Sequence, residues 1–240
     1  MRTRHFLFTL GTALALVAGG CDKKDSTTTG PQTNTPPPFP SVTVTGPSTT
    51  SSDTYAQTTI AYATAFGALT NPAMFTPFSG QNSVQSGNTW TWTVTAGTLT
   101  ITFTTTKEAD GSYTWSWKQN GYDSSSHTTY VNWVFISGSR SADGKNGEWM
   151  IYEDNTTTLS ARLTWATNAG GTLTATWFGY TNGVITDKLV IVNNSDKSGE
   201  LTVYDGTVLI FKSTWIANGS GTWWTYSSST GLQTGTGTWS

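Results

Sequence analysis

Charge, cysteine and histidine are all scarce in this chain. Only 11% of its 240 residues are charged, and the net charge is −2. That excludes the basic footprint of a nucleic-acid-binding protein, and no acidic run marks an interaction tail. A single cysteine makes neither a disulfide framework nor a zinc site. Beyond the N-terminal region, His127 is the sole histidine. It follows Ser124-Ser125-Ser126, but adjacent strand residues point to opposite faces, so a surface loop histidine is the plainer reading. Glu148, Glu153 and Asp154 share one strand region, whereas acid–base catalysis wants two carboxylates across a cleft. No phosphate-binding loop occurs. These absences point away from an enzyme.

Long apolar runs are missing too, since a spanning helix needs roughly 20 residues. The longest run, residues 6–17, follows Arg2 and Arg4 and leads through small residues to Cys21. This is the layout of a secretory signal peptide covering residues 1–20. The ending Ala18-Gly19-Gly20-Cys21 resembles the lipobox of bacterial lipoproteins, with Ala18 where leucine is usual. The resemblance implies cleavage before Cys21 and lipidation of it, which also removes an unpaired thiol from an oxidising compartment. It implies export and a membrane partner reached through the anchor. Asp22 resembles an inner-membrane retention signal. Lys23-Lys24-Asp25 resembles the export signals of other phyla, and the outer membrane is the preferred expectation.

What the chain has in quantity is Trp, Thr and Gly. All 12 Trp lie between Trp90 and Trp239, and β-branched and aromatic residues favour strands. Residues 21–52, rich in Thr, Ser and Pro, read as a disordered linker, with a short strand conceivable at Val42–Val44. Residues 53–240 read as one β domain that opens with a helix over 53–70. Ser52 or Asp53 caps that helix. Tyr55, Tyr62, Ala65, Phe66 and Leu69 fall on one face, and Asn71-Pro72 ends it.

From Trp90 onward apolar and Thr or Ser residues alternate with period two, as in Trp90-Thr91-Trp92-Thr93-Val94-Thr95. Turn dipeptides punctuate the strands: Ala96-Gly97, Asp110-Gly111, Asn120-Gly121, Asp143-Gly144, Gly170-Gly171, Asn182-Gly183 and Asn218-Gly219. The expectation is an all-β antiparallel meander of about 10–12 strands, curled into a barrel or half-barrel. Gly147-Glu148-Trp149, Gly221-Thr222-Trp223 and Gly237-Thr238-Trp239 share Gly-x-Trp. The tail from Gly219 faintly resembles MORN-type hairpin repeats.

Two candidate sites emerge. Asn194, Asp196, Ser198 and Asp205 have the spacing of a calcium loop with Gly199 at its sharp turn, though a plain hairpin turn gives the same string. No other cofactor is indicated. Trp90, Trp92, Trp115, Trp117, Trp165 and Trp177 share the inward parity, and a core with this much Trp can leave an apolar cavity. The body loosely resembles lipocalin-like and lipid-carrier half-barrel lipoproteins, which implies an apolar or amphipathic ligand. The alternatives are a surface module whose Trp223, Trp224 and Tyr226 meet glycan or protein, and an integral outer-membrane barrel. The strands are short for the last.

Overall fold

The computed structural model describes residues 36–39, 41–69, 75, 78 and 80–240. The expected signal peptide, Cys21, the expected linker up to residue 35 and the expected helix stop at Asn71-Pro72 lie outside the described residues. Two compact units form, one from Met1–Pro40 with Pro72–Ser160, the other from Ser41–Asn71 with Ala161–Ser240.

In the first unit the strands are β1 (Val84–Ser86), β2 (Thr89–Ala96), β3 (Leu99–Lys107), β4 (Tyr113–Asp123), β5 (Thr128–Arg140) and β6 (Asn146–Tyr152). Next come β7 (Leu159–Thr167), β8 (Leu173–Thr181), β9 (Val184–Asn193) and β10 (Gly199–Asp205). The last are β11 (Val208–Trp215), β12 (Gly221–Tyr226) and β13 (Gln233–Trp239). Strand order follows sequence order, as short connections require. The described ladders are antiparallel. The expected all-β meander with one helix is therefore what forms, with 13 strands rather than 10–12. The order is linear, and among the described residues no ladder pairs β1 with β13, which sets aside the closed barrel.

The helix, α1 (Thr54–Leu69), belongs to the second unit. Asp53 caps it: Oδ1 accepts from Tyr55 N at 2.8 Å and Ala56 N at 2.9 Å, satisfying two otherwise free helix-start amides. The buried stripe is Ala56, Thr59, Ala63 and Phe66, not the larger set expected at Tyr55, Tyr62 and Ala65. Small residues let the helix lie close to its neighbours. A Cβ on Gly46 would stand only 2.9 Å from that of Ala63. Thr59 Oγ1 and Ser213 Oγ hydrogen-bond at 2.9 Å on β11. Burial and the charge of Asp187 push the Tyr62 hydroxyl above its ordinary pKa.

Residues 41–53 form no strand, contrary to the expectation at Val42–Val44. They are nonetheless packed. Asn193 takes Thr45 N on Oδ1 at 3.0 Å and donates Nδ2 to Thr45 O at 2.7 Å, and Pro47 is buried.

The Gly-x-Trp repeats have a steric cause. Antiparallel pairing sets Gly221 opposite Trp239 and Trp223 opposite Gly237, so each indole lies on the other strand's glycine. Gly138 faces Trp115 and Trp149 in the same way, and Gly199 faces Trp215. Asn120-Gly121 is not the turn expected but lies inside β4. A register shift falls there, and at Gly121, with φ 109, a Cβ would collide with Thr98 O, so no side chain fits.

Candidate functional site

Pairing in the first unit lines up rows of large and small side chains across one face. One row runs Trp90, Thr105, Trp115, Gly138 and Trp149 across β2 to β6. The next runs Trp92, Phe103, Trp117 and Ile136, and a third Val94, Ile101, Gln119 and Trp133. All of these are buried. Four of the six Trp residues expected to line a cavity, Trp90, Trp92, Trp115 and Trp117, thus share one face. Trp165 and Trp177 lie on β7 and β8 of the second unit, buried against Ala175 and Leu163.

Three phenylalanines cover that face. Phe39 stacks on Phe75 with centroids 4.8 Å apart, and Phe75 meets Phe103 at 4.9 Å and Trp149 at 5.3 Å. Phe78 stands edge-on to Trp117 at 5.2 Å. Sequence reasoning missed all three, because Phe39 sat in the supposed linker and Phe75 and Phe78 in no periodic run. An isolated aromatic between prolines, as in Pro38-Phe39-Pro40, was the available signal.

The face carries buried polar atoms with no hydrogen-bond partner: Nε1 of Trp90, Trp115, Trp117 and Trp133, and Oε1 of Gln119. Gln119 and Trp133 are direct cross-strand partners. Phe135 fills the adjacent bulge against Trp117 and Trp133, at 5.8 and 5.4 Å. A dry, unpaired donor or acceptor costs about 1–3 kcal/mol. Nε1 of Trp215 and Trp223 in the second unit are partnerless too, and those of Trp115 and Trp223 lie against Gly138 and Gly237. The groups that packing on glycine leaves unexplained on this face are therefore Trp90, Trp117, Trp133 and Gln119. None of the side chains in these rows is charged. The arrangement can take an acceptor such as a carbonyl, ether or hydroxyl on the indoles, and a donor on Gln119.

The calcium-loop residues do not converge. Asn194–Ser198 is a hairpin turn in which Asn194 N donates to Ser198 O at 2.9 Å and Lys197 N to Asn194 O at 3.1 Å. Glu108–Ser112, Asn168–Thr172 and Ile216–Ser220 repeat that pattern with glycine where Lys197 stands, at φ 72. Asp196 Oδ1 accepts the amide and hydroxyl of Ser198 at 2.9 and 2.6 Å, and these bonds hold its carboxyl below the ordinary range. Asp205 ends β10 at the opposite end of the strand. No group of three or more His, Cys, Asp or Glu able to hold a metal forms among the described residues.

His127 lies in the β4–β5 turn at φ 56, its Nδ1 3.2 Å from Tyr122 Oη. The neighbouring Ser126 hydroxyl instead donates to Asp123 Oδ2 at 3.0 Å. Burial raises the Asp123 carboxyl pKa, but the hydroxyls and amides of Ser125 and Ser126 outweigh it, and the net shift is downward. A pKa lower folded than unfolded contributes stability that is full above the unfolded value and lost as pH falls through the folded one. Thermal melts should therefore show the hairpin weakening on acidification below about pH 4. Asp123→Asn should remove part of that acid dependence, and an unchanged acid limb would refute the assignment.

An open cleft of about 540 Å³ between Ser51–Thr54 and Thr238–Ser240 is polar and lies in the second unit. Its carboxylate, Asp53, is occupied in capping α1. Comparison with known proteins finds no matching family model, and no curated protein matches the chain.

Proposed function

We propose that the chain is a non-enzymatic, lipid-anchored protein of the bacterial cell envelope, and that the inner face of its first unit binds an apolar or amphipathic ligand. The observation that supports ligand binding is that partnerless buried groups gather on the face whose Phe103, Trp117 and Trp149 are covered by phenylalanine rings, Trp117 being both partnerless and covered. A ligand that takes the place of those rings keeps the face dry and gives the indoles an acceptor. The uncharged rows select an uncharged polar group. The anchor rests on the lipobox-like Ala18-Gly19-Gly20-Cys21, with the outer membrane preferred.

Native mass spectrometry of protein extracted from the envelope in mild detergent tests both parts. The expected species starts at Cys21, carries acyl mass and retains a neutral lipid-like molecule. A chain that keeps residues 1–20, or has a free Cys21 thiol, overturns the anchor. Protein that is ligand-free in every extraction and takes up no naphthylamine dye overturns the binding site.

One observation favours a second reading, a glycan- or protein-binding surface. Arg162, Phe178, Lys188 and Tyr204 are successive cross-strand neighbours on the outer face of β7 to β10. Lys188 Nζ lies 4.7 Å over the Tyr204 ring, and Lys212 Nζ lies 5.9 Å over Trp224 while pairing with Glu200 at 2.8 Å. Half-exposed rings beside cations suit stacking on a sugar. Of the expected surface aromatics, Trp224 and Tyr226 remain available. Trp223 does not, because it faces inward under Tyr55 with centroids 3.9 Å apart. Retention on a polysaccharide column without dye uptake would favour this surface.

A further inference from the structure

At one end of the second unit the chain turns through three hairpins, β8–β9, β10–β11 and β12–β13. Each is built from the same three parts. A register shift falls beside Tyr180, Tyr204 and Tyr226, with the extra residue (Thr186, Ile210 or Thr234) on the returning strand, so each tyrosine stands at a bulge just before its turn. A glycine with positive φ follows: Gly183, Gly206 or Gly231. Aliphatic residues come next: Val184-Ile185, Val208-Leu209 and Leu232. Val184 is 66% exposed, Ile185 40% and Leu232 69%. The opposite end, with turns Asn168–Thr172, Asn194–Ser198 and Ile216–Ser220, exposes Ile216 as its one large aliphatic among the described residues.

Two of these tips hold aliphatic side chains out in water, while Val208 and Leu209 at the third are half-buried. Nothing in the fold requires that exposure, and exposed apolar clusters mark contact surfaces. Their charge narrows the partner. Residues 181–185, 205–209 and 227–232 hold one carboxylate, Asp205, and neither Lys nor Arg. Behind them on the strands stand Asp187 and Lys188, the latter engaged with Tyr204. Such tips have no complement for an anionic surface and match an uncharged or zwitterionic one. Tyrosine, with an apolar ring and a polar hydroxyl, is a side chain that settles at a bilayer boundary. The chain between Cys21 and Pro36, about fifteen residues, reaches at most about 50 Å when extended. An anchor at Cys21 would thus hold this unit within reach of a membrane.

We infer that this end of the second unit docks on a zwitterionic lipid bilayer, with Val184, Ile185 and Leu232 entering the acyl boundary and Tyr180, Tyr204 and Tyr226 at headgroup level. The anchor sets distance and the tips set orientation. The inference borrows only this tether from the proposed function, and it is testable with the anchor removed.

The chain from residue 21 onward keeps every described residue and becomes cysteine-free as Cys21→Ser. In that background Val184→Cys, Leu232→Cys and, at the opposite end, Ala217→Cys each carry one polarity-sensitive fluorophore. Phosphatidylcholine vesicles should shift emission to the blue at positions 184 and 232 and leave 217 unchanged. Adding anionic lipid should not strengthen the response. Leu232→Ser in the Val184→Cys chain should weaken partitioning about tenfold. Four outcomes overturn the inference: no shift at either tip, equal shifts at all three positions, binding to anionic vesicles only, or a lipid-free shift that grows with protein concentration. The last would mean that a second copy covers the tips. Loss of the anchor in the envelope experiment would leave this result untouched.

Discussion

Gly221→Ala is expected to lower stability by about 3 kcal/mol, at the upper end of what overpacking costs. The methyl group has nowhere to go. It would meet Thr214 O on one side and the Trp239 indole on the other, with Trp239 Cη2 at 2.6 Å. Trp239 cannot swing aside freely, because its Nε1 donates to Gly219 O at 2.7 Å. Gly219 in turn sits against Ser48 O at φ 90. The alternative relief is to part β12 from β11 or β13. Gly67→Ala supplies the contrast. Its Cβ would lie 3.5 Å from Val44 O, an ordinary contact, within α1. There the same substitution should raise stability by about 0.5–1 kcal/mol, since glycine is a poor helix former. Denaturant melts of the two variants check the pair, and a shift of the same sign in both would refute the stacking account.

This contrast also shows what a single sequence can and cannot carry. Alternation in Trp90–Thr95 and Leu99–Thr104 assigned faces correctly because period two is a local property of the extended chain. Asp53 was legible as a cap for the same reason. The Gly-x-Trp repeats were visible as text, yet their meaning needed register: only pairing places Gly221 under Trp239. Asn120-Gly121 looked like a turn because the dipeptide favours one. Here the glycine serves a bulge that sets Gln119 against Trp133, and Asn120 Oδ1 takes Asn132 N at 3.1 Å. Trp223 and Trp224 were indistinguishable as neighbours, until the parity of β12 put one under Tyr55 and the other under Lys212. The covering rings were the least legible. Phe39 is remote in sequence from the face it covers, and no local pattern encodes which strand it will meet.

Phe75→Ala should cost about 3–5 kcal/mol, the range for deleting a buried phenylalanine. The ring is 1% exposed. It is the central piece of the cover, stacked on Phe39 and touching Phe103, Trp149 and Trp117. Its loss leaves an aromatic-lined hole, and an engineered apolar hole takes up small hydrocarbons whatever the protein does. Hydrocarbon uptake alone therefore decides nothing. The discriminating feature is the unpaired indole N–H groups of the same face, on Trp90, Trp115, Trp117 and Trp133. If they await a ligand, a carbonyl-bearing probe should bind Phe75→Ala about tenfold more tightly than a hydrocarbon of the same shape, the worth of one hydrogen bond. At a hundred times its dissociation constant that probe should restore about 2.7 kcal/mol of stability. Trp117→Phe, which keeps the ring packing and removes one donor, should erase part of the preference. Equal binding of the two probes, read by tryptophan emission and by thermal melts, would reduce the face to a plain core with its donors buried at a cost.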